Sequence, residues 1–310
     1  MIVALRKNSL KQMRKIYLVL ILCLLYVHTF AQVKEYFLEY NNIGLFDNSL
    51  EESIVEQGNI FELEPFYSDT LSIVRQQAYY LTYKIGINSN DEVKHLSIHR
   101  LIDGVSESNL AISGNCLHYL QDFPNSSFPI KSLHRIDSLL KSPKHSHYRE
   151  IYLLAGYVGV GIETIQQQLL LPDNYNKNQQ WVMRLALARL GHKESMDKCM
   201  EWAKQIEDGN DKVAYLVPDL IYTRQPDAIK YCISILMSDE KNCLSPNPDV
   251  DAKILCGYRV LELLAPVIKD FPYTVGSAGY LQVNDYQEAL FGAREWFKSH
   301  PDFEIITTFY

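Results

Sequence analysis

The sequence predicts an all-α fold, a right-handed α-solenoid of about six antiparallel helix pairs, and three observations carry that prediction. The first is a period of 32 residues in the middle of the chain. Aligning residues 149–164, 181–196 and 213–228 places Ile151, Met183 and Tyr215 in one register, Leu153, Leu185 and Val217 in a second, and Val158, Leu190 and Tyr222 in a third. Gly159, Gly191 and Thr223 follow in step, then Glu163, Ser195 and Asp227. A fixed period of this size is the mark of stacked supersecondary units. The second observation is helical spacing within a unit: Met183, Ala186, Leu187 and Leu190 fall at i, i+3, i+4 and i+7, which is one face of a helix. The third is that helix-end marks continue upstream, from Gly86 to Asp122 to Gly159, at steps of 36 and 37 residues.

Along the chain, residues 1–31 come first. They hold Arg6, Lys7, Lys11, Arg14 and Lys15, no acidic residue, an apolar run from Ile16 to Val27, and Thr29-Phe30-Ala31. A basic start, an apolar centre and small residues three and one before a bond make a secretory signal peptide, with cleavage predicted after Ala31. Met13 offers a second start that gives a shorter signal. An apolar stretch of about 15 residues falls short of the roughly 20 that cross a bilayer, which argues against an uncleaved anchor. Leu22 before Cys23 is not small, which argues against a lipoprotein.

Residues 32–67 keep no repeat register and are predicted to form an N-terminal cap or an arm. The repeats are assigned to residues 68–240. Phe128-Pro129 opens a helix, since proline at a helix start gives up no needed N–H. In the second of the aligned units Gly191 stops the first helix and Ser195 caps the next, whose face is Met196, Cys199, Met200, Ala203 and Ile206. Asp227 caps the corresponding helix of the third unit, with Ile229, Cys232, Ile233 and Leu236 inward. A lone pair of this size cannot bury both apolar stripes, so neighbours must stack on it. Residues 241–250 are proline-containing and read as a linker. Residues 251–310 are expected to close the stack with two helices, Asp251 to Leu264 and Tyr286 to Ser299, joined by a long connection.

The run from Trp181 to Gly191, Trp-Val-Met-Arg-Leu-Ala-Leu-Ala-Arg-Leu-Gly, and the following Ser195 to Trp202 resemble the HEAT-repeat family of α-solenoids. The resemblance covers residues 70–300. It implies binding or scaffolding and brings no catalytic residues. The Trp-x-x-Leu-Gly-x-x-Tyr pattern of tetratricopeptide repeats and the Thr-Pro-Leu-His of ankyrin repeats are not found.

Charge and cysteine bound the partners and the compartment. Taking away the five basic and no acidic residues of 1–31 leaves 25 basic against 37 acidic side chains, net −12. An acidic chain argues against nucleic acid and anionic membrane as partners. Of the cysteines left, Cys116, Cys199, Cys232, Cys243 and Cys256, the odd number leaves one unpaired. Cys199 and Cys232 sit one repeat apart, as buried thiols or close neighbours, and Cys243 and Cys256 flank the linker as a candidate bridge.

Other constellations weigh less. His145 and His147, with His134 and Asp137 nearby in sequence, supply metal-ligand types, yet the polar segment 142–147 reads as a solvated loop. Gly156, Gly159 and Gly161 run in the reverse order of a dinucleotide fingerprint and read as helix-end turns. Gly276-Ser277-Ala278-Gly279 lacks the spacing of a nucleophile elbow. No catalytic, cofactor or metal site is therefore assigned, and a hydrolase using the His134 to His147 region stands only as an alternative. The expected function is an exported, non-enzymatic binding or scaffolding protein for a protein or glycan partner, with an inhibitor of a secreted enzyme as another reading. Off the apolar stripes of the second helices lie Gln166 and Gln167, Lys198 and Glu201, then Lys230 and Ser234, a mixed polar ladder predicted to face the partner. The 21 tyrosines suit either helix seams or such a surface.

Overall fold

A computed structural model describes residues 32–40, 44–142, 146–207, 209–245, 249 and 251–310. These residues are mostly helical and hold one two-stranded sheet, so the all-α class stands. The expected signal peptide and His145 lie outside the described residues. Among the described residues, no helix is long and apolar enough to cross a membrane. The chain divides into two compact units, Met1–Leu120 and Gln121–Tyr310.

In the first unit, helix α1 (32–40) is followed by α2 (Asn48–Gln57), a 3-10 stretch (Ile60–Ser68), α3 (Ser72–Ile87), α4 (Asp91–Val105) and α5 (Leu110–Gln121). Asp47 starts α2 by accepting the Ser49 and Leu50 N–H groups, and Gly58 ends it at φ +67°. Val33, Tyr36 and Phe37 of α1, Ile54 of α2, and Ile60 and Leu63 are buried with Val74, Ala78, Leu81 and Ile85 of α3. Phe46 stacks against both Tyr36 and Tyr40. Apolar side chains of α1, α2 and the 3-10 stretch thus pack on α3.

The second unit holds α6 (Ile130–Leu140), α7 (Tyr148–Val158), α8 (Ile162–Leu169), α9 (Lys177–Arg189), α10 (Lys193–Gln205), α11 (Val217–Tyr222) and α12 (Pro226–Met237). Helix α7 packs along α9, α9 also meets α10 and α11, and α11 meets α12. Leu153, Leu185 and Val217 fall on α7, α9 and α11 and are buried. Gly159 and Gly191 close α7 and α9 at φ +85° and +84°, a region open to glycine without strain.

Several local expectations are corrected. His192, not Ser195, precedes α10, its Nδ1 accepting the Ser195 N–H at 3.3 Å, and Ser195 is buried within the first turn. Gln225 precedes α12 because Pro226 takes the first helical position, leaving Asp227 inside the turn. Tyr215, expected in an apolar register, is 74% exposed. It lies in a π turn, Lys212–Leu216, whose extra residue per turn rotates it off the buried face. Gly156 is not a turn glycine. It sits inside α7, where a Cβ would lie 2.9 Å from the Ala186 backbone and 2.4 Å from Tyr222 Oη.

The C-terminal part departs most from expectation. The helix expected from Asp251 begins only at Gly257, as α13 (Gly257–Leu264), while α14 (Tyr286–Ser299) has the expected bounds. Strand β1 (Cys243–Leu244) pairs antiparallel with β2 (Lys253–Ile254), and a Cys243–Cys256 disulfide closes the hairpin at a Cα separation of 5.0 Å. The ladder consumes backbone groups that a longer helix would have used. The expected linker therefore includes a strand, and its residues 246–248 and 250 lie outside the described set. Cys116, Cys199 and Cys232 are free and buried. Burial away from water pushes the Cys199 and Cys232 thiols up to about 12.

Candidate functional site

The disulfide-closed hairpin and α13 frame a cleft of about 850 Å³, inside the range of about 300–1,000 Å³ usual for ligand sites. Helix α13 supplies Tyr258 and Glu262, four residues apart on one face, together with Arg259. Leu244, Ser245 and Ile254 come from the hairpin, and Asn210 from the segment before the π turn. The remaining wall is Tyr280, Leu281 and Tyr286. The segment Gly276-Ser277-Ala278-Gly279 places Tyr280. The Gly276 N–H donates to the Tyr280 carbonyl at 2.9 Å, Gly279 turns the chain at φ +81°, and Val275 bridges Leu281. Tyr280 emerges from that turn 68% exposed.

Polar groups are fixed around these rings. Tyr286 Oη donates to Glu262 Oε1 at 2.5 Å, and its ring meets that of Tyr258 edge-on at 6.3 Å. Burial, then the hydrogen bond to the Glu262 carboxylate, pushes the Tyr286 phenol up to about 12. Arg259 Nη1 donates to Asn210 Oδ1 at 3.1 Å. The cleft thus presents aromatic faces beside a carboxylate, a guanidinium, an amide and phenolic hydroxyls. That chemistry orients and holds a ligand through stacking and directed hydrogen bonds.

The polar ladder is placed on α8, α10 and α12. Gln167, Lys198, Glu201, Lys230 and Ser234 are exposed and Gln166 is half-buried. Lys198 Nζ donates to Glu201 Oε2 at 2.8 Å within α10, and Ser234 Oγ donates to the Tyr231 carbonyl at 2.7 Å within α12. Gln166 lines a smaller cleft of about 360 Å³ with Arg184 and His192. His134 is exposed on α6, and Asp137 is engaged by Lys141 and Thr164. Among the described residues no group of three or more His, Cys, Asp or Glu side chains has the arrangement of a metal site.

Two constellations went unread in the sequence. One is the cleft: Tyr280 falls inside the segment assigned as a connection, while Tyr258 and Tyr286 were assigned only to the two closing helices; the flanking cysteines and the density of tyrosine between 258 and 286 were its signal. The other joins four helices. Asp219 of α11 is buried, accepts the Trp181 Nε1–H of α9 at 2.6 Å and pairs with Arg149 of α7, while Trp181 stacks on Trp202 of α10. Compared with protein-family models, curated proteins and solved structures, the chain matches none of them.

Proposed function

We propose that this chain is an exported, non-enzymatic binding protein, built as a HEAT-like α-solenoid of antiparallel helix pairs, that takes a glycan in the tyrosine-lined cleft. The observation that carries the reading is the convergence of Tyr258, Tyr280 and Tyr286 on Arg259, Glu262 and Asn210 in one cleft. Sugar rings offer C–H faces that lie on aromatic rings and hydroxyls that both donate and accept, and this lining supplies partners for each. The buried register of Leu153, Leu185 and Val217 supports the stacked-pair architecture. The disulfide supports export, because such bonds persist in oxidising compartments. The exposed ladder of Gln167, Lys198, Glu201, Lys230 and Ser234, with Gln166 beside it, is a second surface suited to a polar protein.

Glycan-array binding of the mature chain, followed by calorimetric titration of the best ligand, tests the reading. Tyr280→Ala and Glu262→Gln should each lower affinity about tenfold, the effect of losing roughly 1.4 kcal/mol of contact. Glycan binding untouched by both changes, or none across a broad array, would reject the cleft as a sugar site.

A further inference from the structure

Residues 300–310 return from the end of α14 over the second unit, and the way they are held is that of a bound peptide. Lys269 N–H donates to the Glu304 carbonyl at 3.0 Å and Ile306 N–H to the Val267 carbonyl at 2.9 Å, so Ile305 pairs with Ile268 as an antiparallel bridge. Beyond the bridge every carbonyl from Ile306 to Tyr310 is taken by a donor of the helical body. Arg224 Nε donates to the Ile306 carbonyl at 3.0 Å, and Arg189 Nη2 and Asn125 Nδ2 donate to that of Thr307 at 3.0 and 3.4 Å. Tyr157 Oη and the Asn125 N–H donate to Thr308 at 2.8 and 3.3 Å, Arg189 Nη2 to Phe309 at 3.1 Å, and Arg224 Nη2 to Tyr310 at 2.7 Å.

The side chains of the segment divide sharply. Thr307, Thr308 and Phe309 are exposed. The Tyr310 ring instead enters an aromatic socket, 5.5 Å from the rings of both Tyr157 and Tyr222. Main-chain carbonyls are common to all sequences, so five of them held by side-chain and backbone donors give affinity without selecting a sequence. The socket adds the one requirement, an aromatic residue. This division between main-chain bonds and a side-chain pocket is how protein surfaces recognise extended peptides.

The donors are also held in place independently of the segment. Arg189 Nη1 donates to the Tyr222 carbonyl at 2.5 Å and Arg224 Nη1 to that of Ile221 at 2.6 Å. Both carbonyls belong to the C-terminal turn of α11, where cations are favoured. Arg224 has φ +54°, a left-handed conformation that is strained for a non-glycine residue because its Cβ crowds the following carbonyl oxygen. The corresponding helix ends at Gly159 and Gly191 use glycine for that conformation. Strain retained at an arginine whose side chain holds two carbonyls of the segment is the pattern of a binding position.

We propose that the face formed by Asn125, Tyr157, Arg189 and Arg224 is a docking groove for a partner's extended peptide bearing an aromatic side chain, occupied in cis by residues 306–310, which compete with that peptide. This groove is separate from the tyrosine-lined cleft and stands whether or not the cleft binds a glycan.

The probe is a fluorescent peptide with the sequence of residues 303–310, titrated by anisotropy against the full mature chain and its variants. Tyr310→Ala in the chain empties the socket and should raise affinity for the peptide at least about tenfold over the unmodified chain, because apparent affinity scales with the fraction of open groove. Adding Arg189→Ala should abolish that binding, and a peptide carrying Tyr310→Ala should not bind. Absence of peptide binding to a Tyr310→Ala chain with its helical circular dichroism intact would overturn the proposal. If that variant loses its helical signal, Tyr310→Leu keeps apolar bulk in the socket and repeats the measurement, and failure of the peptide to bind it overturns the proposal equally. Concentration-dependent dimerisation of the unmodified chain, abolished by Arg189→Ala, would assign the groove to a second copy and also overturn it.

Discussion

Leu185 is fully buried between α9 and its neighbours, and a side chain so placed loses both transfer energy and packing when shortened. Leu185→Ala should lower stability by about 2–5 kcal/mol in chemical denaturation. Tyr286 gives a residue-level reading of the cleft. Its phenol ionises at about 12 in the folded chain against an ordinary 10.0, so its proton is held more tightly folded than unfolded. The stabilisation this brings is complete below about pH 10 and is lost as pH rises towards 12. Ultraviolet titration should show a late-ionising phenol that moves towards its ordinary value in Tyr286→Phe difference spectra of Glu262→Gln. An unshifted difference spectrum would mean that the Glu262 hydrogen bond does not hold this proton.

Between elements, two contacts set the geometry. Gly156 lets α7 approach α9 so closely that a methyl group has no room against the Ala186 backbone or Tyr222 Oη, which donates to the Leu153 carbonyl at 2.6 Å. Gly156→Ala should therefore destabilise by about 1–3 kcal/mol, despite alanine's better helix propensity, and melting curves decide the sign. The hairpin is the second case. Cys243 and Cys256 are 13 residues apart, and closing a loop of about that size restricts the unfolded chain by up to about 3 kcal/mol. Reduction of the bond should weaken ligand capture by the cleft while far-ultraviolet circular dichroism stays helical, since α7 to α12 do not depend on it. Equal capture before and after reduction would show that the hairpin does not shape the binding wall.

For the whole molecule, export and charge are the testable properties. Protein recovered from cells should begin at Gln32, read by N-terminal sequencing, because Thr29 and Ala31 suit a signal peptidase; a chain retaining Arg14 in the membrane pellet would contradict it. Cleavage there would leave 25 basic against 37 acidic residues, net −12, from a chain with 30 and 37. An acidic balance of that size would repel nucleic acid, so the proposed partners to test by capture are glycans and peptides.

Periodic features were legible before any coordinates. The spacing of Met183, Ala186, Leu187 and Leu190 marks α9, and glycine at 159 and 191 marks helix ends, because helix faces and left-handed stops are local properties of the chain. Tyr286 to Ser299 was readable as α14 for the same reason. Features made by distant residues were not. Lys253 and Ile254 carry no strand signal of their own, and they become a strand only because Cys243 and Leu244 lie opposite them. Tyr258, Tyr280 and Tyr286 sit in three different local settings, and Asn125, Tyr157, Arg189 and Arg224 span about a hundred residues. Each of these sites exists through side chains brought together across the fold. Their distances depend on packing between elements, to which a pattern of neighbours in sequence is blind.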